Sequence, residues 1–237
     1  MDERGKGRLN ILTVTKDQAR KVFEALLDDL QHACQHLRFA RAYRTLVQEF
    51  KTEIKKTPEL WNWTYWAHVD AAIFRLCRIY DTTGLSLESL LQEIERNGAI
   101  YDAKKLKEHY AKLPRGYQRK IQEIKPKPIS TDIQMVSSYN PLVRTLREWR
   151  NKRFSHKTSP DIYEPGKLSR DFPLRIMDLE TLQEVGLRIL NYYGEIVFNM
   201  TGQVTGEEEG NIRLIFESVK SSSLTMDSIR NSDKQLK

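Results

Sequence analysis

Apolar residues recur every three or four positions along most of the chain, which is the spacing of one buried face of an α-helix. A first stripe of this kind runs from about Lys16 to Phe50 without proline or glycine, and it predicts a long helix with room for one break. Thr57 and Pro58 pair an N-cap with a first-turn proline, so we predict a second long helix that ends at the turn 81–84.

The second half of the chain repeats the pattern. Asn140 and Pro141 again pair an N-cap with a first-turn proline, which predicts a third helix to about Phe154. Asp178 is expected to cap a fourth helix that ends before Gly202. Four long amphipathic helices bury their stripes most simply against one another, so we predict an all-α fold, an up-and-down four-helix bundle.

The remaining segments suggest how the chain is organised. We assign 1–15 to an N-terminal arm, 16–202 to the helical domain and 203–237 to a polar C-terminal tail that is partly disordered. Within the domain, 85–128 is predicted to be an inserted basic helical segment interrupted by prolines. Long connections inside a domain are uncommon, so the proline-containing connection 157–177 is either functional or mobile, and its position directly after His156 favours function.

Positive charge is concentrated in one part of the sequence. The formal net charge is +7, but 101–156 alone holds fourteen Lys and Arg against five Asp and Glu, a local balance of +9. Such a segment attracts polyanions, and nucleic acid is the most common polyanion in a cell. A solvated, lysine-rich face without a ligand has the same composition, so charge alone does not identify a partner.

Several function classes lack their sequence signals. The chain contains no P-loop, no glycine-rich dinucleotide fingerprint and no recognisable helix-turn-helix signature, and we expect no cofactor. Asp28, His32 and His36 stand one helical turn apart and could ligate a metal, but a further ligand at suitable spacing is missing. A solvated helix face is the simpler interpretation, and we predict no metal site. Cys34 and Cys77 lie among apolar neighbours and predict buried thiols without a disulfide.

The N-terminus gives no sign of a secretory signal, because its first residues are charged and lack an apolar run. No uncharged stretch approaches the roughly 18 residues of a membrane-spanning helix. We therefore expect a cytoplasmic protein without a membrane partner.

The residues best suited to chemistry lie at the end of the third predicted helix. Arg150 is followed by the polar Asn151, by four further residues and then by His156. This arrangement resembles the R-[N/D/H]-x4-H signature of the HEPN superfamily (higher eukaryotes and prokaryotes nucleotide-binding). The motif stands inside the basic segment and before the long connection, where that family pattern has it.

Two further segments, 70–81 and 85–91, resemble the AbiU-like branch of HEPN proteins, which act in abortive infection. In layout the resemblance covers about 16–200. It implies a four-helix bundle, ribonuclease activity and a homodimer whose paired motifs share one cleft. A role in phage defence or in a toxin–antitoxin system, with an antitoxin or other restraining partner, is also implied.

The types of residue in the motif suit RNA cleavage without a metal ion. RNA carries its own nucleophile, the ribose 2′-hydroxyl, so the protein must move protons and stabilise charge on the phosphate. His156 is our candidate general acid and base because histidine titrates near neutral pH. Arg150 offers a planar fork of donors to phosphate oxygens. Asn151 is given a supporting role, either orienting the histidine, bonding the ribose or capping the helix.

The geometry of an ideal helix separates Arg150 from His156. Residues six apart are rotated by about 120° from facing one another and displaced by about 9 Å along the axis. Either the helix ends before His156, or the site combines motifs from two chains. The neighbouring cations Arg147, Lys152, Arg153 and Lys157 are predicted to contact RNA, the alternative being a solvated helix face.

An aromatic cluster in the second predicted helix has two interpretations. Its members, Trp61, Trp63, Tyr65 and Trp66, could stack on bases. At this density in an amphipathic helix, core packing or a dimer interface is favoured.

Two functions from different classes emerge from the sequence. The first is a metal-independent endoribonuclease that uses Arg150 and His156, and acts as a toxin or phage-defence effector. The second is a non-catalytic helical RNA-binding or protein-interaction module. A purely binding protein has no chemical need for both Arg150 and His156, and this favours the enzyme.

Overall fold

In the computed structural model, the residues described are 16–82, 84–96, 128–155, 167–198 and 213–221. They contain no strand, and the predicted all-α fold is confirmed. The predicted arm 1–15 lies outside them. The helices are α1 (Lys16–Glu49), α2 (Lys51–Ile54), α3 (Pro58–Ile79), α4 (Leu87–Arg96), α5 (Ile129–Val136), α6 (Pro141–Trp149), α7 (Lys167–Asp171), α8 (Ile176–Tyr193) and α9 (213–221).

The four long predicted helices correspond to α1, α3, α6 and α8. Helix α1 packs along α3, and α8 contacts both of them and α6. Their starts follow the local signals: Pro58 and Pro141 open α3 and α6, and the Asn140 side chain accepts a hydrogen bond from the Leu142 N–H at 3.0 Å. None of the described helices is both long and apolar enough to span a membrane.

Single π-helical turns extend two of these helices. Arg150–Ser155 continues α6, and Gly194–Phe198 continues α8. A π-turn closes its hydrogen bonds over five residues instead of four, so it is wider than the helix it extends, and it occurs frequently at functional sites.

The start of the fourth long helix differs from the prediction. Helix α8 begins at Ile176 with Arg175 as its N-cap, so the expected cap, Asp178, lies inside the first turn. The Asp178 carboxylate accepts a hydrogen bond from the Arg175 N–H at 2.8 Å. An acidic residue in this position still stabilises the helix, because it lies near the positive end of the helix dipole. The connection before α8 also contains α7, which the prolines concealed.

The inserted segment is partly integrated with the bundle. Helix α4 lies at the start of the predicted insertion 85–128, yet its apolar side joins the main core through Leu87, Leu90, Leu91 and Ile94. It packs against α5, a helix of eight residues that was not predicted. The residues 97–127 lie outside the described part of the chain, so the remainder of the insertion stays a prediction.

A second, smaller core stands at one end of α1. It consists of Ala42, Leu46, Phe50, Trp61 and Phe216. Phe216 belongs to α9, and its ring stacks 4.4 Å from that of Trp61. Arg213 adds an ion pair to Glu49 at 2.6 Å. The predicted tail 203–237 therefore contains a helix that packs on the bundle.

A pair of histidines joins α1 to α3. The Nδ1 atoms of His36 and His68 are 2.9 Å apart, so the N–H of one ring donates a hydrogen bond to the nitrogen of the other, and Phe39 stacks on His68. Burial lowers the pKa of both rings; Arg75 adds to this effect at His36, and His36 adds to it at His68. The folded chain therefore disfavours the protonated, cationic form of either ring.

This arrangement predicts a loss of stability in mild acid. Since the pKa values of both rings are lower in the folded chain, the unfolded chain binds protons first as the pH falls below about 6.5. The thermal midpoint should therefore fall between about pH 7.5 and 5.5. Replacing His68 with Gln should reduce that fall. His32→Gln is the control and should reduce the fall less, because His32 stands outside the pair and makes the smallest of the three contributions to the lowered pKa of His36. An equal fall in wild type and His68→Gln would contradict the assignment.

Candidate active site

The site is built where the end of α3 meets α6, and Arg147 joins the two. The side chain of Arg147 is only 10% exposed. Its Nε donates to the Tyr80 carbonyl at 2.7 Å, and its Nη2 lies 3.4 Å from the Asp81 carbonyl. These carbonyls stand at the C-terminal end of α3, where helix carbonyls lack partners within the helix.

Two further acceptors complete the surroundings of Arg147. Its Nη2 donates to the Glu88 carboxylate of α4 at 3.0 Å, and its Nη1 donates to the Ser138 hydroxyl before α6. The guanidinium is thus held from four directions within the chain. These acceptors surround a side chain that is only 10% exposed, and contact between Arg147 and RNA stays a prediction. Its role here is to hold α3, α4 and α6 together.

Arg150 follows three residues later and is more accessible, with 28% of its side chain exposed. Its Nη1 forms an ion pair with the Asp81 carboxylate. Its Nε and Nη2 both donate to the Asn151 amide oxygen, at 3.1 and 3.0 Å. The supporting residue Asn151 therefore contacts the arginine of the motif directly.

The backbone at Arg150 changes from α-helical to π-helical. The π-turn covers Arg150–Ser155, which is the interval between the two predicted catalytic residues. The α-helical part ends at Trp149 and the chain is still π-helical at Ser155, so both geometric alternatives for Arg150 and His156 stay predictions. His156 and Lys157 lie outside the described residues, and so does the side chain of Arg153; their roles stay predictions.

Lys152 lies on the side of the π-turn that faces Phe172, the residue after α7. Its Nζ is 3.4 Å from the Glu148 carboxylate and 3.9 Å from the centre of the Phe172 ring. The side chain remains 38% exposed, so it can still turn toward a phosphate. Contact between Lys152 and RNA stays a prediction.

A buried thiol stands behind Arg150. Cys77 donates weakly from Sγ to the Leu146 carbonyl at 3.5 Å. Burial raises the pKa of Cys77 to about 12, although the nearby Arg150 guanidinium opposes the rise. A thiol with such a pKa is protonated at neutral pH and is a poor nucleophile. Cys77 therefore packs the site and does not react in it.

Sequence reasoning missed Asp81 and Glu88. Both acids flank the turn between α3 and α4; Glu88 faces Arg147 of α6, and Asp81 faces Arg150 of the π-turn that follows. The sequence held one indirect signal for them. Arg147 and Arg150 are three positions apart near the buried side of a helix, and arginines placed there need anionic partners. Within the described residues, no three His, Cys, Asp or Glu side chains are grouped closely enough to hold a metal ion.

Comparison with known protein families identifies the chain. The sequence model of the family described as AbiU2, a HEPN family, matches residues 17–208. This match spans the whole bundle and the motif. The chain belongs to the AbiU2 family of HEPN domains. No curated protein and no solved structure matches it.

Membership of the AbiU2 family confirms the resemblance seen in the sequence and the HEPN type of the helical bundle. It makes this chain a domain of the abortive-infection type. The match includes α4, α5 and α7. These short helices therefore belong to the AbiU2 unit, as the packing of α4 in the core also indicates.

The buried position of Arg147 predicts that it is needed for stability. Arg147→Lys keeps one positive charge but cannot reach four acceptors, and unpaired buried groups should cost about 3 kcal/mol in the free energy of unfolding. Arg144→Lys is the matched control, because Arg144 is exposed one turn earlier on α6 and should change stability by less than about 0.5 kcal/mol. Urea denaturation measures both. If both substitutions lowered the free energy of unfolding by the same small amount, Arg147 would not be needed for stability.

Proposed function

We propose that this AbiU2 domain is a metal-independent endoribonuclease that acts as a toxin or abortive-infection effector. The observation that carries the proposal is the placement of Arg150. It is a part-exposed arginine that follows α6 in the basic segment, six positions before a histidine. Arg150 would bind the scissile phosphate, and His156 would move the protons.

The surroundings of Arg150 support the phosphate-binding role. Its guanidinium is held at one end by Asp81, while its partner on the other edge is the neutral, exposed Asn151. Phosphate oxygens carry charge and accept hydrogen bonds more strongly than a neutral amide does. RNA can therefore replace the Asn151 contact without breaking the ion pair.

The second function, a non-catalytic RNA-binding or interaction module, uses the same fold and basic surface. It also accommodates the rigid role of Arg147, which needs no reaction. The two functions differ in what His156 does. The enzyme requires it, whereas a binding module tolerates its loss.

Cleavage of RNA is the direct test. Attack by the 2′-hydroxyl leaves a 2′,3′-cyclic phosphate or 3′-phosphate and a 5′-hydroxyl, and DNA of the same sequence should not be cut. His156→Ala should abolish cleavage while the helix content is kept. Arg150→Ala should reduce cleavage by about 10²-fold or more, because the developing charge loses a preorganised partner. End-group analysis of the products measures the outcome.

The control reactions decide between mechanisms. Chelator should leave the activity in place, and Arg150→Lys should restore little of it, since a point charge does not replace the planar fork. Activity that requires magnesium, or 5′-phosphate ends, would contradict the mechanism. Tight RNA binding without cleavage by the wild type would favour the non-catalytic module.

We further propose that the enzyme is a homodimer. Three exposed aromatic residues form one face of α3, here called the aromatic face: Trp63, Trp66 and Phe74 are 69%, 49% and 48% exposed. A groove of about 560 Å³ borders it and is walled in part by Trp149, the residue before Arg150. Exposed apolar patches of this kind mark interaction surfaces. A second copy seated there would bring the two motifs together.

A charge on the aromatic face should separate the copies. Trp63→Glu should shift the protein from dimer to monomer in sedimentation at micromolar concentration and lower RNA cleavage with it. Tyr139→Glu is the matched control, because Tyr139 is 86% exposed on a different element. A wild type that is monomeric and fully active would contradict the dimer.

A further inference from the structure

We propose that Asp81 is a positioning residue: its carboxylate orients Arg150 so that the Nε–Nη2 edge of the guanidinium is presented to a phosphate of RNA. The proposal rests on the ribonuclease function above and adds a residue that the motif does not contain. Asp81 lies on a different element, 69 positions before Arg150 in the sequence.

The carboxylate of Asp81 is itself held in place. Its Oδ1 accepts from the backbone N–H of Thr82 at 2.6 Å, and the same oxygen pairs with Arg150 Nη1. The backbone carbonyl of Asp81 is within 3.4 Å of Arg147 Nη2. Asp81 is therefore fixed by its own turn and by the buried arginine, and its position does not depend on Arg150.

The contacts of Arg150 divide into a fixed side and an exchangeable side. An arginine has five N–H donors in one plane. Nη1 is directed to the fixed carboxylate, whereas Nε and Nη2 share one neutral acceptor, the amide oxygen of Asn151. The Nε–Nη2 edge is a pair of parallel donors that suits two phosphate oxygens. Asn151 occupies this edge with a weaker acceptor that phosphate can displace.

A positioning role gives a signature that loss of stability does not. Asp81 is an anion close to the site of an anionic substrate, so removing its charge cannot weaken electrostatic attraction for RNA. Removing it does release one end of the guanidinium, and small displacements of a group that contacts the reacting atoms can lower a rate by about 10²-fold. Turnover should thus fall while the affinity for RNA stays the same or rises.

The test uses Asp81→Asn in the full chain, with Glu88→Gln as the matched control. The two carboxylates have almost the same exposure, 20% and 21%, and each pairs with an arginine of the α6 region. Only Asp81 contacts Arg150. We expect Asp81→Asn to lower kcat by about 10- to 100-fold with an unchanged or lower KM. Glu88→Gln should lower the thermal midpoint and, well below that midpoint, change kcat much less than Asp81→Asn does, because Glu88 reaches Arg150 only through Arg147.

Two results would overturn the proposal where the wild type cleaves RNA. One is an unchanged kcat in Asp81→Asn. The other is a parallel loss of RNA affinity and turnover, which indicates general disruption of the fold.

A second readout separates this proposal from the ribonuclease itself. In ¹⁵N-labelled protein, the Arg150 Nε–H signal, assigned with Arg150→Lys, should shift in Asp81→Asn and shift much less in Glu88→Gln. A wild type that never cuts RNA would contradict the proposed function. The Arg150 signal would still decide whether Asp81 positions Arg150. An unmoved signal in Asp81→Asn overturns the positioning role.

Discussion

The burial of one guanidinium is the constraint on which the rest of the site depends. Arg147 is a charged group inside the protein, and such a group is tolerated only where hydrogen bonds replace the lost water. Its acceptors come from the end of α3, from α4 and from the turn before α6. Satisfying all of them fixes how α6 is rotated. Arg150, less than one turn later, is thereby brought beside Asp81.

The architecture was largely predictable because helices are set by local signals. A proline after an N-cap residue opened α3 and α6 at the expected positions, and apolar periodicity gave their extents. The signals failed where they were short or ambiguous. Helix α5 has only eight residues, and α7 lies among prolines that mask it. An acidic residue near a helix start fits either the N-cap or the first turn. Asp178 was predicted to be the N-cap, and the predicted start of α8 was therefore too late in the sequence.

The candidate site was predictable in its chemistry but not in its geometry. The residue types of the motif indicated phosphate binding at Arg150, while Arg147 carries the same charge in the same basic segment and gave the same indication. What separates the two is burial against Tyr80 and Glu88, which are 67 and 59 positions away in sequence. The partnership of Asp81 with Arg150 and the π-turn at Arg150–Ser155 likewise depend on tertiary packing. A single sequence gives no sign of either.

Helix α9 shows that the folded unit extends beyond the residues matched by the family model. The family match ends at residue 208, yet Phe216 is fully buried against Phe50 and Trp61. A chain cut at the family boundary would open a hydrophobic surface at the far end of α1. Loss of solubility in such a fragment would then arise from an exposed core and would say nothing about the motif. Domain boundaries for expression should therefore follow the packing of α9.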